Sequence, residues 1–127
     1  MRRRDERGSA VVEFALLLPL LLMMLLALVQ IGVLARDRLL VVHAGRAGAR
    51  EAAIQESDVA VRDAVIAAAA GLDPAHLDVE VQRVGGRGDP VSVAVSYEAP
   101  VAGVLAGWLL PPTVTFATTA TARQEFG

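Results

Sequence analysis

The sequence predicts an α+β chain. A long apolar helix near the N-terminus continues as an amphipathic helix, followed by a short helix and an antiparallel sheet of about three strands. Two observations carry this reading. From Phe14 to Val29 sixteen residues pass without a polar side chain, and the last third alternates apolar and polar residues with period two. Bulk composition agrees. Of 127 residues, 54% are hydrophobic and 20% charged, with a mean hydropathy of +0.50. An ordinary soluble domain is about 45–50% apolar and about 25% charged.

The same inventory narrows the chemistry. There is no Cys, which removes disulfide frameworks, thiolate metal sites and cysteine nucleophiles. Two histidines, His43 and His76, do not make a His-rich metal site, and a net charge of −2 lacks the basic excess of a nucleic-acid binder. No nucleophile–His–acid set, phosphate-cradling glycine loop or metal-ligand spacing stands in the sequence. The expectation is a non-enzymatic chain with no cofactor, no metal, no nucleic-acid partner and no small-molecule substrate.

The apolar run is the first element. Extended to Ala35 it holds 22 residues whose single polar side chain is Gln30. At about 1.5 Å per residue such a helix is about 33 Å long, enough to cross a hydrocarbon core of about 30 Å. Before it, residues 1–13 carry Arg2, Arg3, Arg4 and Arg7 against Asp5, Glu6 and Glu13. An arginine-rich head favours a cytoplasmic N-terminus, although Arg36, Arg38, Arg46 and Arg50 follow the span and weaken the asymmetry. The expected division is a basic leader over 1–13, a transmembrane helix over 14–35 and an extracytoplasmic α+β domain over 36–127. Two other readings compete. One is a signal peptide cut after Val33-Leu34-Ala35, against which stands an h-region usually of about 7–15 residues. The other is a buried core helix, which so small a domain could hardly surround.

Glu13 is the most informative residue. It abuts Phe14 at the edge of the apolar run, and a carboxylate beside hydrocarbon is costly unless paired. The bland reading is a side chain snorkelling to the headgroups. The surrounding residues, Gly8-Ser9-Ala10-Val11-Val12-Glu13-Phe14, instead resemble the type IV prepilin signal. In that signal a membrane aspartyl peptidase cuts after the Gly and the Glu becomes residue five. Cleavage after Gly8 would leave an ammonium on Ser9, four positions before Glu13, where a neighbouring subunit's Glu could neutralise it. Ser9 departs from the large apolar residue that prepilins usually carry there.

Beyond Arg36-Asp37-Arg38 the helix-compatible stretch LLVVHAGRAGAREAAIQE places Ala44 with Gly48 and Gly45 with Ala49. Small residues four apart let another backbone approach, either that of a partner helix or that of the chain's own sheet. Arg46 and Arg50 share a face that reads as solvated, and His43 as a structural or surface side chain. Ser57-Asp58 is a helix start, Val61, Val65 and Ala68 or Ala69 its apolar stripe, and Gly71 its C′ stop. His76 falls in a linker.

Leu77, Val79 and Val81 then alternate with Asp78, Glu80 and Gln82. Val91, Val93, Val95 and Tyr97 alternate with Ser92, Ala94, Ser96 and Glu98. The connector Gly85–Pro90 predicts a hairpin between these strands. Its Arg87-Gly88-Asp89 triplet also occurs in integrin-binding loops, but in a glycine-rich turn it reads as turn chemistry. A third strand is expected over 113–122, with Val114 and Phe116 on the buried face. Val101–Pro112 reads as a short helix or loop that packs on the core or touches the membrane interface through Trp108.

Taken together, GSAVVEFALLLPLLL, HAGRAGAREAAI about thirty residues on and the Thr/Ala-rich strand ending TARQEFG resemble the TadE-like family, most strongly over Gly8–Ile54. Its members are small single-pass proteins of the tight-adherence (Tad/Flp) pilus and secretion apparatus. The resemblance implies a pilin-like fold and a pseudopilin-like accessory subunit in the bacterial cytoplasmic membrane. It implies that Gly8 marks cleavage, that Glu13 is the helix acid and that Gly48-Ala49-Arg50 is the helix signature. That family tolerates small or polar residues at the position of Ser9. The expected partners are the lipid bilayer, a prepilin-type peptidase and other pilus-assembly subunits. The competing expectation is a surface binding module, either anchored by a single span or secreted through a signal peptide.

Overall fold

The computed structural model describes residues 2–103 and 106–126, with side chains from Arg7 onward. Helix α1 (Arg2–Ile54) comes first, then α2 (Asp58–Ala68), a 3-10 turn (Pro74–His76) and the strands β1 (Leu77–Arg83), β2 (Pro90–Pro100) and β3 (Thr113–Arg123). The chain divides into two compact units, 1–33 and 34–127. The α+β class is therefore as the sequence predicts.

In the first unit α1 is already helical at the arginine-rich leader, and it carries Pro19 within the apolar run. A proline is tolerated inside a membrane helix because the backbone group it frees can be satisfied locally. The apolar side chains of the run point outward: Leu16 is 74% exposed and Leu20 64%. This is the one helix among the described residues long and apolar enough to cross a membrane.

The second unit is a three-stranded antiparallel sheet in the order β1-β2-β3, covered on one face by helix. Its register pairs Val79 with Val95 and Val95 with Thr118. The central strand buries Val91, Val93, Val95, Tyr97 and Ala99, while Ser92, Ala94, Ser96 and Glu98 turn to the other face. Against the buried face stand Val41, Ala44, Ala49 and Ala52 of α1 with Val61, Val65 and Ala69 of α2. The alternation in the sequence thus translates directly into one dry and one wet face. Val114 and Phe116 lie on the dry face of β3, as expected, though only half-buried because β3 is an edge strand.

The caps follow the sequence with one difference. Ser57 is the N-cap of α2, its hydroxyl accepting from the Ala60 N–H at 3.4 Å. Helix α2 ends at Ala68 with Ala69 as C-cap, so Gly71 stands one position beyond the C′ expected of it. The chain turns early because Leu72 bonds back to Ala69 and drops into the core. Gly71 still adopts φ +103°, and a Cβ there would meet the Arg36 guanidinium at 2.5 Å. In the hairpin connector the Asp89 carboxylate accepts from the Gly86 N–H at 2.9 Å, the turn role read for the Arg87-Gly88-Asp89 triplet. Segment 101–112 is a loop pinned by Val101 N–H to Pro112 C=O at 2.9 Å; Val104 and Leu105 lie outside the described residues.

Candidate functional site: the membrane-edge acid and the small-residue face of α1

Two groups of residues on α1 carry the expected function. The first is Gly8, Ser9, Glu13 and Phe14. Gly8 sits within the helix, and beyond the backbone of its own turns no described atom lies within 4 Å of where a Cβ would stand. Ser9 and Glu13 are one helical turn apart and face each other, Ser9 Oγ donating to Glu13 Oε1 at 3.3 Å. Phe14 is 61% exposed. Processing after Gly8 would convert the Ser9 amide nitrogen into an ammonium one turn before the Glu13 carboxylate. The geometry therefore presents a proton donor, an acid and an aromatic at the head of an apolar helix, all open to a neighbour.

The second group is Ala44, Gly45, Gly48, Ala49 and Arg50. Here the structure discriminates between the two backbones that could approach. Ala44, Gly45, Gly48 and Ala49 are buried within the chain's own domain. A Cβ on Gly48 would fall 2.5 Å from Val65 Cγ2 and 3.1 Å from Val93 Cγ1. A Cβ on Gly45 would fall 2.7 Å from Thr118 Cγ2. The small residues thus let α1 settle on its own sheet and on α2. Arg50 remains exposed at the rim, in a groove with Ile54, Arg123 and Glu125.

These contacts predict an ordering of substitutions. Ala in place of helical Gly gains about 1 kcal/mol of helix propensity. At Gly48 the opposing side chains, Val65 and Val93, are fully buried and have nowhere to go, so the overpacking cost of about 1–3 kcal/mol wins. At Gly45 the opposing Thr118 methyl stands on a half-buried edge strand that can yield. Gly48→Ala therefore lowers the unfolding midpoint, while Gly45→Ala stays within about 1 kcal/mol of the parent. Thermal unfolding of both variants in detergent measures the difference.

The remaining titratable groups are dispersed. His43 is exposed on α1, and His76 stands 3.5 Å from Asp73 in the 3-10 turn. Among the described residues no three His, Cys, Asp or Glu side chains gather as a metal set would. Asp37 is largely shielded, and burial pushes its carboxyl above the usual carboxylate range, while Arg36 at 3.6 Å pulls the other way. Asp37 and Val41, one turn apart on α1, are both buried. Arg83 is a structural residue that sequence reasoning missed. At the end of β1 it pairs with Asp58 and donates to the Gln55 carbonyl at 3.2 Å, tying the α1–α2 junction to the sheet. Only the tertiary placement of β1 reveals that role.

Comparison with protein families shows what the segment that holds these groups resembles. Residues 8–50 match the model of the family described as TadE-like protein. Over that segment the chain is similar to the TadE-like family, and the match covers about a third of its length. The matched residues begin at Gly8 and end at Arg50, so they contain the membrane-edge group, the whole apolar run and the small-residue face. No curated protein and no solved structure gave a match. The strands lie outside the TadE-like segment.

Proposed function

We propose that this chain is a single-pass accessory subunit, pseudopilin-like, of a Tad/Flp-type pilus assembly or secretion apparatus, and that it acts by subunit packing rather than by catalysis. The observation that carries the reading is the coverage of the TadE-like match. One continuous helix bears the Gly–Glu signal, the span and the glycine-alanine face in the order that such a subunit needs. The N-terminus lies in the cytoplasm, residues 36–127 lie outside, and a prepilin-type peptidase cuts between Gly8 and Ser9.

Each residue then has a task. Gly8 lowers the cost of unwinding one turn for the peptidase, since glycine is about 1 kcal/mol poorer than alanine in a helix. Glu13 neutralises an ammonium on Ser9, its own or that of the neighbouring subunit. At the hydrocarbon edge such a charge persists only when partnered. Ala44, Gly45, Gly48 and Ala49 lock α1 onto its own domain and so fix how that domain is carried by the helix.

Glu13→Ala tests the proposal. The variant is expected to be processed normally, as read by intact mass, yet to lose cross-linking to neighbouring subunits in native membranes. A hydrogen bond to a charged group contributes about 1.5–3 kcal/mol, so association should weaken roughly 10- to 100-fold. Glu13→Gln separates ion pair from hydrogen bond, because it keeps the shape and loses the charge. Wild-type association of the Ala variant would remove Glu13 from the mechanism.

A further inference from the structure

We infer that the tip of the β2–β3 loop, Trp108 with Leu109, inserts into the bilayer interface beside the point where α1 leaves the membrane. The inference rests on the single-span reading of residues 14–35 and adds a second lipid contact to it.

The placement follows from the direction of α1 across the sheet. Within the second unit, Arg38, Val41 and Val42 share a groove with Thr115–Thr118, and Gly45 packs on Thr118 and Ala120. Arg50, Ala53 and Ile54 meet Ala122, Arg123 and Glu125, where the Glu125 N–H donates to the Ala53 carbonyl at 2.8 Å. Helix α1 and strand β3 therefore run in the same direction. The start of β3, and with it the loop over 101–112, stands at the end of the domain where α1 comes in. Leu34 and Ala35 at that end are covalently the last of the apolar run, so the loop and the exit of the span share one end of the domain.

The chemistry of the loop suits that level. From Ala99 to Ala122 no residue is charged. A turn closed by Gly107 N–H to Leu110 C=O at 2.8 Å, with Gly107 at φ +82°, presents the two residues between them outward. Trp108 is 70% exposed and Leu109 60%. An indole has an apolar body and one N–H donor, which is why tryptophan collects at membrane–water boundaries. Arg36 and Arg38 are exposed on α1 at the same end, where a cation meets anionic headgroups. Asp37 between them is shielded, and Asp73 at the same end lies 3.5 Å from His76. Glu98, in register with Thr115 near the start of β3, is an exposed acid there, so the two arginines outnumber it. The occupant this surface fits is a lipid interface carrying negative charge.

The chain has one tryptophan, so its fluorescence reports Trp108 alone. The full chain is reconstituted into vesicles of zwitterionic and anionic phospholipid, with quenchers placed either near the headgroups or at the acyl-chain ends. The expected result is blue-shifted emission, quenched more strongly by the shallow quencher than by the deep one. Leu109→Asp should return the emission toward that of exposed indole. Emission that stays at the aqueous position, quenched by a water-soluble agent and by neither lipid quencher, would overturn the proposal. So would a blue shift that grows with protein-to-lipid ratio and ignores the lipid quenchers, since a second copy would then be the occupant. Alkaline extraction of the same vesicles reads the span separately. A chain that resists extraction while Trp108 remains aqueous defeats only the loop contact, whereas extraction of the chain defeats both readings.

Discussion

Val95→Asp is expected to unfold the domain formed by residues 34–127, whereas Ser96→Asp one residue along leaves it folded. Val95 is 1% exposed at the middle of the central strand, with Val79 and Thr118 in register on either side. A carboxylate placed there loses water and gains no donor. An uncompensated buried charge costs about 3–5 kcal/mol, and lost packing adds to it, against a total stability of about 5–15 kcal/mol for a domain. Ser96 points to the wet face. Its adverse neighbours there are Asp78, directly opposite on β1, with Glu80 diagonal to it and Glu98 two residues along β2. A like-charged cross-strand pair costs about 0.2–1 kcal/mol, still well below the cost of a buried charge. Limited proteolysis of the full chain in detergent reads the outcome: rapid loss of the sheet for Val95→Asp and protection close to wild type for Ser96→Asp. Equal sensitivity of the two variants would mean that the two faces are not distinct.

The second large effect is all-or-none. Gly8→Val should abolish processing and leave protein that retains residues 1–8. Beyond the backbone of its own helix the added Cβ meets no described atom within 4 Å, and valine is a better helix residue than glycine. Failure of processing therefore cannot be traced to a damaged structure. It would arise because the β-branched side chain stiffens the turn that the peptidase must open, and because it crowds the scissile bond. Intact mass of protein from native membranes distinguishes the two forms. Wild-type and variant chains of equal processed mass would show that the cut does not depend on Gly8.

Much of the fold is legible in the sequence because its signals are local. The phase of Leu77–Val81, of Val91–Tyr97 and of Val114–Phe116 specifies which face is dry, and a one-residue slip would expose every one of these side chains. Ser57 as N-cap and the uninterrupted apolar run are equally local. The end of α2 is not, because the decision to turn at Ala69 rather than run on toward Gly71 is taken by Leu72 reaching the core. The glycine-alanine face of α1 is ambiguous in sequence for a physical reason. Spacing of four residues gives the same groove whether a partner helix or the chain's own sheet fills it, and Val65, Val93 and Thr118 come from other parts of the chain. The placement of Trp108 depends on the direction of α1 over the sheet, which no single segment encodes. At the membrane edge, the spacing from Ser9 to Glu13 was readable, and the structure adds the hydrogen bond across it.

Trypsin applied to right-side-out spheroplasts, followed by the mass of the fragment left in the membrane, tests the central claim most directly. Neither Arg nor Lys lies between Ser9 and Ala35, and Arg36 and Arg38 stand exposed where α1 leaves the span. A single-pass subunit processed after Gly8, with its domain outside, leaves a fragment that begins at Ser9 and ends at Arg36 or Arg38. A fragment beginning at Met1 would contradict the processing. Complete protection of the chain would contradict the topology, and a free domain beginning near Arg36 with nothing retained in the membrane would contradict the span.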